Sequence, residues 1–189
     1  MKHLYSLAII IVLALALGGC SSGGGSFTLP GATSTAGTTG PTNKEPNWGV
    51  QTKTSGCMVQ GPLQDSACTP GDIFPNATKD QICTPGYSRS VRNVPTSEKD
   101  QVYASYGIVS HSTGQYEVDH LVSLELGGSN SIANLWPESA SPKPGFHEKD
   151  QVENYLHDQV CSGAISLKEA QTEIATNWLA VYNHMPKNS

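Results

Sequence analysis

The chain predicts a small α+β domain, and three features of its sequence carry that expectation. Residues 116–126 hold a run of aliphatic side chains that stops at Gly127-Gly128-Ser129-Asn130, the chemistry of a strand running into a turn. Residues 148–160, and a stretch that begins at Ser166, space their apolar side chains by three and four, the period of an amphipathic helix. Between Cys57 and Asn93 turn residues prevail, and cysteines are placed to pin that loop-rich part.

Each element has its own signals. A first helix is predicted over 96–106, capped by Thr96 or Ser97 and stopped by Gly107, with Val102, Tyr103 and Tyr106 facing inward. In the strand-like run the core candidates are Val118, Leu121, Val122, Leu124 and Leu126, and the Gly-Gly turn makes a hairpin of it. The helix over 148–160 turns Val152, Tyr155, Leu156 and Val160 to one side and ends at Ser162-Gly163. The last helix opens on Ser166-Leu167-Lys168-Glu169, a capping box in which the Ser and Glu side chains satisfy amide groups of the first turn. Leu167, Ala170, Ile174, Trp178 and Val181 line its inner face. The order is helix, hairpin, helix, helix. Ahead of it, Cys68-Thr69-Pro70-Gly71 and Cys83-Thr84-Pro85-Gly86 repeat one turn tetrapeptide, too few copies for a repeat architecture.

The amino end carries an address. Lys2 and His3 precede an apolar run over 4–17, and Gly18-Gly19-Cys20 closes it. That run is shorter than the roughly 20 residues that span a bilayer, so residues 1–20 are expected to be a secretory signal. Leu17-Gly18-Gly19-Cys20 resembles the bacterial lipobox, which implies acylation of Cys20 and anchoring of the chain to the cell envelope. Ser21 then implies sorting to the outer membrane in a two-membrane cell, with the domain periplasmic or extracellular. Residues 21–50, rich in Gly, Ser, Thr and Pro, predict a flexible tether, and residues 51–185 the folded domain.

Export places Cys57, Cys68, Cys83 and Cys161 in an oxidising compartment, and no pair has the close spacing of a zinc site. Two disulfides are expected, and four cysteines allow three pairings. Local order favours Cys57–Cys68, a short loop bearing Pro and Gly, which leaves Cys83–Cys161. The formal net charge of −5 excludes a nucleic-acid coat protein, which needs a basic face to displace counterions. It leaves room for an enzyme that touches a few phosphates and lets go.

The chemistry is concentrated in Asp119-His120, the Gly127-Gly128 turn, Asn134, and a following helix that opens with His147. An Asp-His pair alone is a common surface feature. In this order and at this spacing the set resembles the HNH nuclease motif, also called the His-metal or ββα-metal finger. The resemblance covers about 116–160. Cys83-Thr84-Pro85-Gly86-Tyr87-Ser88-Arg89-Ser90-Val91-Arg92 and Lys149-Asp150-Gln151-Val152-Glu153-Asn154 extend it toward small secreted bacterial members of that family. Two departures are plain: no zinc-ribbon cysteines, and an insertion over 139–145 before the helix.

The resemblance implies a ββα-metal finger with flanking helices, and an endonuclease that hydrolyses DNA, or RNA, with low sequence specificity. His120 is then the general base, because a neutral imidazole can take the proton of an attacking water near pH 7. Asp119 and His147 are the implied ligands of one divalent ion, Mg²⁺ first and Mn²⁺ or Zn²⁺ after it. Asn134 supports the base by holding the loop backbone. Arg89, Arg92 and Lys149 are the candidate phosphate contacts. The bland reading of His147 is a surface residue of a first helical turn, and that of the three cations is a solvated face. His111, His157 and His184 show no partner pattern. The rival from another class is a non-catalytic envelope lipoprotein that uses the same fold to bind nucleic acid or a protein partner.

Overall fold

The structure is a computed structural model that describes residues 44–187. The expected signal over 1–20, the acylated Cys20 and the tether up to residue 43 lie outside the described residues. The architecture is α+β, a two-stranded antiparallel sheet among five helices. In chain order these are α1 (Lys79–Ile82), α2 (Tyr87–Val91), α3 (Thr96–Ser105), β1 (Tyr116–His120), β2 (Leu135–Ser139), α4 (Phe146–Ser162) and α5 (Leu167–His184). Two 3-10 turns, Leu124–Leu126 and Ile132–Asn134, lie between the strands. No helix among the described residues is long and apolar enough to cross a membrane.

The core is built by α4 and α5 against the loop between the strands. Leu121, Val122, Leu126, Trp136, Val152, Leu156, Val160, Ala170, Ile174 and Trp178 are all buried there. Ser166 caps α5 through the predicted box, its hydroxyl accepting from Glu169 N–H. α5 breaks at Asn177 (φ −165°, ψ 77°), whose side chain restarts the helix by accepting from Ala180 N–H at 3.0 Å.

The expected strand is shorter in the structure. β1 stops at His120, and the chain then coils through a turn into Leu124–Leu126. The burial pattern gives the reason: Leu121, Val122, Leu124 and Leu126 are all buried, which the alternation of a one-sided ribbon does not allow. α3 begins at Thr96 with Pro95 ahead of it and no side-chain cap, so neither Thr96 nor Ser97 caps it. Its Val102 is buried and its Tyr103 and Tyr106 are half-buried. α4 starts two residues earlier than its apolar spacing suggests, because Glu148 reaches back to Gly145 N–H at 2.9 Å and closes its first turn.

The cysteines pair as Cys57–Cys68 and Cys83–Cys161. The second joins the end of α1 to the last turn of α4 across a sequence separation of 78, a constraint worth about 4 kcal/mol in the chain-entropy account. The ordered body begins ahead of residue 51. Gly49 N–H donates to Gly71 O at 2.8 Å, Trp48 packs on the core, and Glu45 pairs with Lys168 of α5.

Candidate active site

β1 and β2 pair with Asp119 opposite Trp136 and His120 opposite Leu135. Successive strand residues leave on opposite faces, so Asp119 and His120 enter different surroundings. Both still border one small cleft, because the strand ends at His120; Ser88, Arg92, Glu125 and Glu153 border it too.

On Asp119's side the surroundings are charged. The Lys149 ammonium donates to Asp119 Oδ2 at 2.6 Å, to His120 O at 2.8 Å and to Glu153 Oε1. An ammonium has three protons to give, and these acceptors take all three. Lys149 is fully buried, so it holds Asp119 and Glu153 and has no donor turned outward for a phosphate. Burial alone favours a neutral lysine, but the surrounding carboxylates outweigh it and hold its pKa above the ordinary value. Burial also works to raise Asp119, and the Lys149 charge overrides it and keeps that carboxylate below its usual range. Burial lifts Glu153 to about 8. Glu138 is 1% exposed, neither of its carboxyl oxygens accepts a hydrogen bond, and burial raises it well above the usual range.

On His120's side the surroundings are neutral hydrogen bonds. Burial lowers the imidazole pKa to about 4, against the opposing pull of Asp119, so the ring is neutral at pH 7. His120 Nε2 lies 3.2 Å from Asn130 Oδ1. Asn130 also donates to Val91 O at 2.8 Å and accepts from Asn93 N–H at 3.1 Å. In the sequence Asn130 carries only the signal of a turn residue, because it follows Gly127-Gly128-Ser129.

Asn134 is buried and makes no hydrogen bond with the His120 ring. Its Oδ1 accepts from Val122 N–H at 2.9 Å, and its Nδ2 donates to Val122 O and Ser129 O at 3.0 and 2.8 Å. It folds the 122–129 loop, which is the backbone-holding part assigned to it in the motif. Gly128 completes that loop for a steric reason. A Cβ there would lie 1.8 Å from Val122 O and 3.0 Å from Asn134 Nδ2, so no larger residue fits.

The other expected residues divide. Arg92 borders the cleft, and its charge is felt at His120. Arg89, one turn earlier on α2, is exposed and outside the cleft. His147 is exposed on the first turn of α4, its ring centroid 4.4 Å from that of Phe146. Its charge bears on Glu117 and Asp150, and it makes no hydrogen bond with Asp119. Glu153 and Asp119 share the Lys149 ammonium. Ser123 Oγ, also at the cleft, is buried without a partner.

Among the described residues, one group of three metal-ligand types has its atoms within 4.8 Å of one another: Cys83, His157 and Cys161, away from the cleft. Its two sulfurs are bonded to each other, so it offers no thiolate, and His157 Nε2 lies 3.1 Å from Ile82 O. Comparison with protein-family models, curated proteins and solved structures finds no match to this chain.

Proposed function

We propose that the chain is an exported, lipid-anchored endonuclease of the HNH type, with β1, β2 and α4 as its ββα unit. The observation that carries the reading is the neutral His120 beside Asp119 at the end of β1, with Arg92 across the same cleft. Phosphodiester cleavage needs a base for the attacking water and positive charge near the phosphate. His120 serves as the base, because burial keeps it unprotonated at neutral pH. Arg92 meets the phosphate as a fork of donors. Asn134 keeps the loop after the base in one conformation.

The donor set suits a hard divalent ion. Asp119, Glu138 and Glu153 crowd carboxyl groups around the single ammonium of Lys149, and burial raises Glu138 well above the usual carboxylate range. Asp119 with Glu153 would hold Mg²⁺ or Mn²⁺; an all-oxygen set is less apt for Zn²⁺. Bound there, the ion would neutralise charge on the scissile phosphate and the departing 3′ oxygen. Few basic residues border the cleft, which fits weak, salt-sensitive binding of DNA, or RNA, with little sequence preference. The two disulfides agree with an oxidising compartment outside the cytoplasm, and Cys20 is the proposed anchor.

One observation favours the rival, a non-catalytic envelope binding protein: Lys149 already neutralises the Asp119 carboxylate. Plasmid digestion separates the two. Nicking by the full chain that chelator abolishes and His120→Ala lacks supports the nuclease. Retention of nucleic acid without cutting, in Mg²⁺ and Mn²⁺ alike, supports the binding protein.

A further inference from the structure

The amide of Asn130 has only one orientation that satisfies its neighbours. Val91 O can only accept and Asn93 N–H can only donate, so Nδ2 faces the first and Oδ1 the second. Oδ1 is also the atom that meets His120 Nε2 at 3.2 Å. An oxygen with no proton requires a donor opposite it, so Nε2 carries a proton, and it carries the single proton of the unprotonated ring. The lone pair then sits on Nδ1, which makes no hydrogen bond with the described residues and is not among the sealed, partnerless atoms.

The same side chain does a second thing. Val91 and Asn93 flank Arg92, so one amide holds the backbone on both sides of the cleft's arginine and the ring of its base. We propose that Asn130 is a positioning residue that keeps the His120 proton on Nε2, leaves Nδ1 for the attacking water, and sets Arg92 in register with it. The proposal rests on the nuclease reading above and deepens it. No catalytic contact with substrate is assigned to Asn130. It acts through His120, as an orienting group does for a catalytic imidazole.

The test is made on full-length protein labelled with ¹⁵N at histidine, at a pH well above the ordinary histidine range. Long-range ¹H–¹⁵N correlation reads the tautomer directly, and the His120 signals are identified by their loss in His120→Gln. Wild type is expected to show Nε2–H alone, and Asn130→Ala a mixture of tautomers. kcat should fall roughly 10–100-fold, part of the ~10²–10⁴ that a general base supplies. Asn130→Asp keeps an acceptor for the ring and loses the donor to Val91 O, so it should hold the tautomer while raising KM through Arg92.

An Nδ1–H ring in wild type overturns the proposal, and that reading needs no variant to fold. So does an unchanged Nε2–H ring in folded Asn130→Ala. An Nε2–H ring in a wild-type protein inactive on DNA and RNA supports the tautomer and overturns the nuclease.

Discussion

Asp119 and His120 are neighbours on β1, yet the groups that receive them are of different kinds. Asp119 enters a cluster of formal charges in which one ammonium is shared among carboxylates. His120 enters a set of uncharged hydrogen bonds that leaves one ring nitrogen spare. Charges buried together depend on one another, and removing one leaves the rest uncompensated. Neutral bonds of the second kind can be cut with less cost to the fold. The two faces of one short strand thus carry a buried ion cluster on one side and a neutral, hydrogen-bonded imidazole on the other.

His120→Ala breaks the comparison at its reactive face, and there the largest effect is expected. Cleavage should fall by about 10²–10⁴-fold, while truncating this buried ring costs about 1–3 kcal/mol of stability and leaves the protein folded. A variant that digests plasmid at the wild-type rate removes His120 from the reaction. On the other face the pattern inverts. Lys149→Met leaves Asp119 and Glu153 without their cation and should cost about 3–5 kcal/mol of stability, read as a large drop in the urea midpoint. An unchanged midpoint would mean that the buried cluster reorganises freely.

The Cys83–Cys161 bridge sharpens the distinction, since it ties the segment bearing Arg92 to α4. Cys83→Ala with Cys161→Ala should cost about 4 kcal/mol and lower the melting temperature. Partial unfolding should reach the His120 side first, so hydrogen exchange at Val91 and Asn93 should rise before exchange within α4. The smallest effect separates two candidate ligands. Glu153→Gln should weaken Mn²⁺ binding roughly 10–100-fold by calorimetry, while His147→Ala changes it little. The reverse result would return His147 to the metal, as the motif implies.

The helices around this site were legible because their signals are local. The apolar spacing of Val152, Leu156 and Val160 and the Ser166 box are read within a few residues, and both elements formed where expected. The hairpin was less legible because its strands lack alternation. β2 is buried from Leu135 to Glu138 and carries Pro137, so it has neither the period nor the composition of an ordinary strand. α1 and α2 are single turns embedded in turn chemistry, too short to show a period.

The site divides in the same way. Asp119, His120 and Arg92 border one cleft, and both disulfides formed in the expected pairing. Asn130 was hidden because its partners, Val91 and Asn93, are distant in sequence. Lys149 and Glu153 carry a signal in the helical period itself. Charged residues one turn apart on the same helix as Val152 and Leu156 belong to a buried face only if they pair with something there.

The pairing of the cysteines has a consequence for biogenesis. Cys57 joins Cys68 and Cys83 joins Cys161, so the two covalent loops lie one after the other in the chain and never enclose each other. A polypeptide threaded across a membrane amino end first presents Cys57 and Cys68 before either later partner has emerged. With Cys20 blocked by the proposed acylation, an oxidase that joins each remaining thiol to the next one delivered arrives at this connectivity directly. Such a chain can mature with a simple thiol oxidase and no shuffling enzyme.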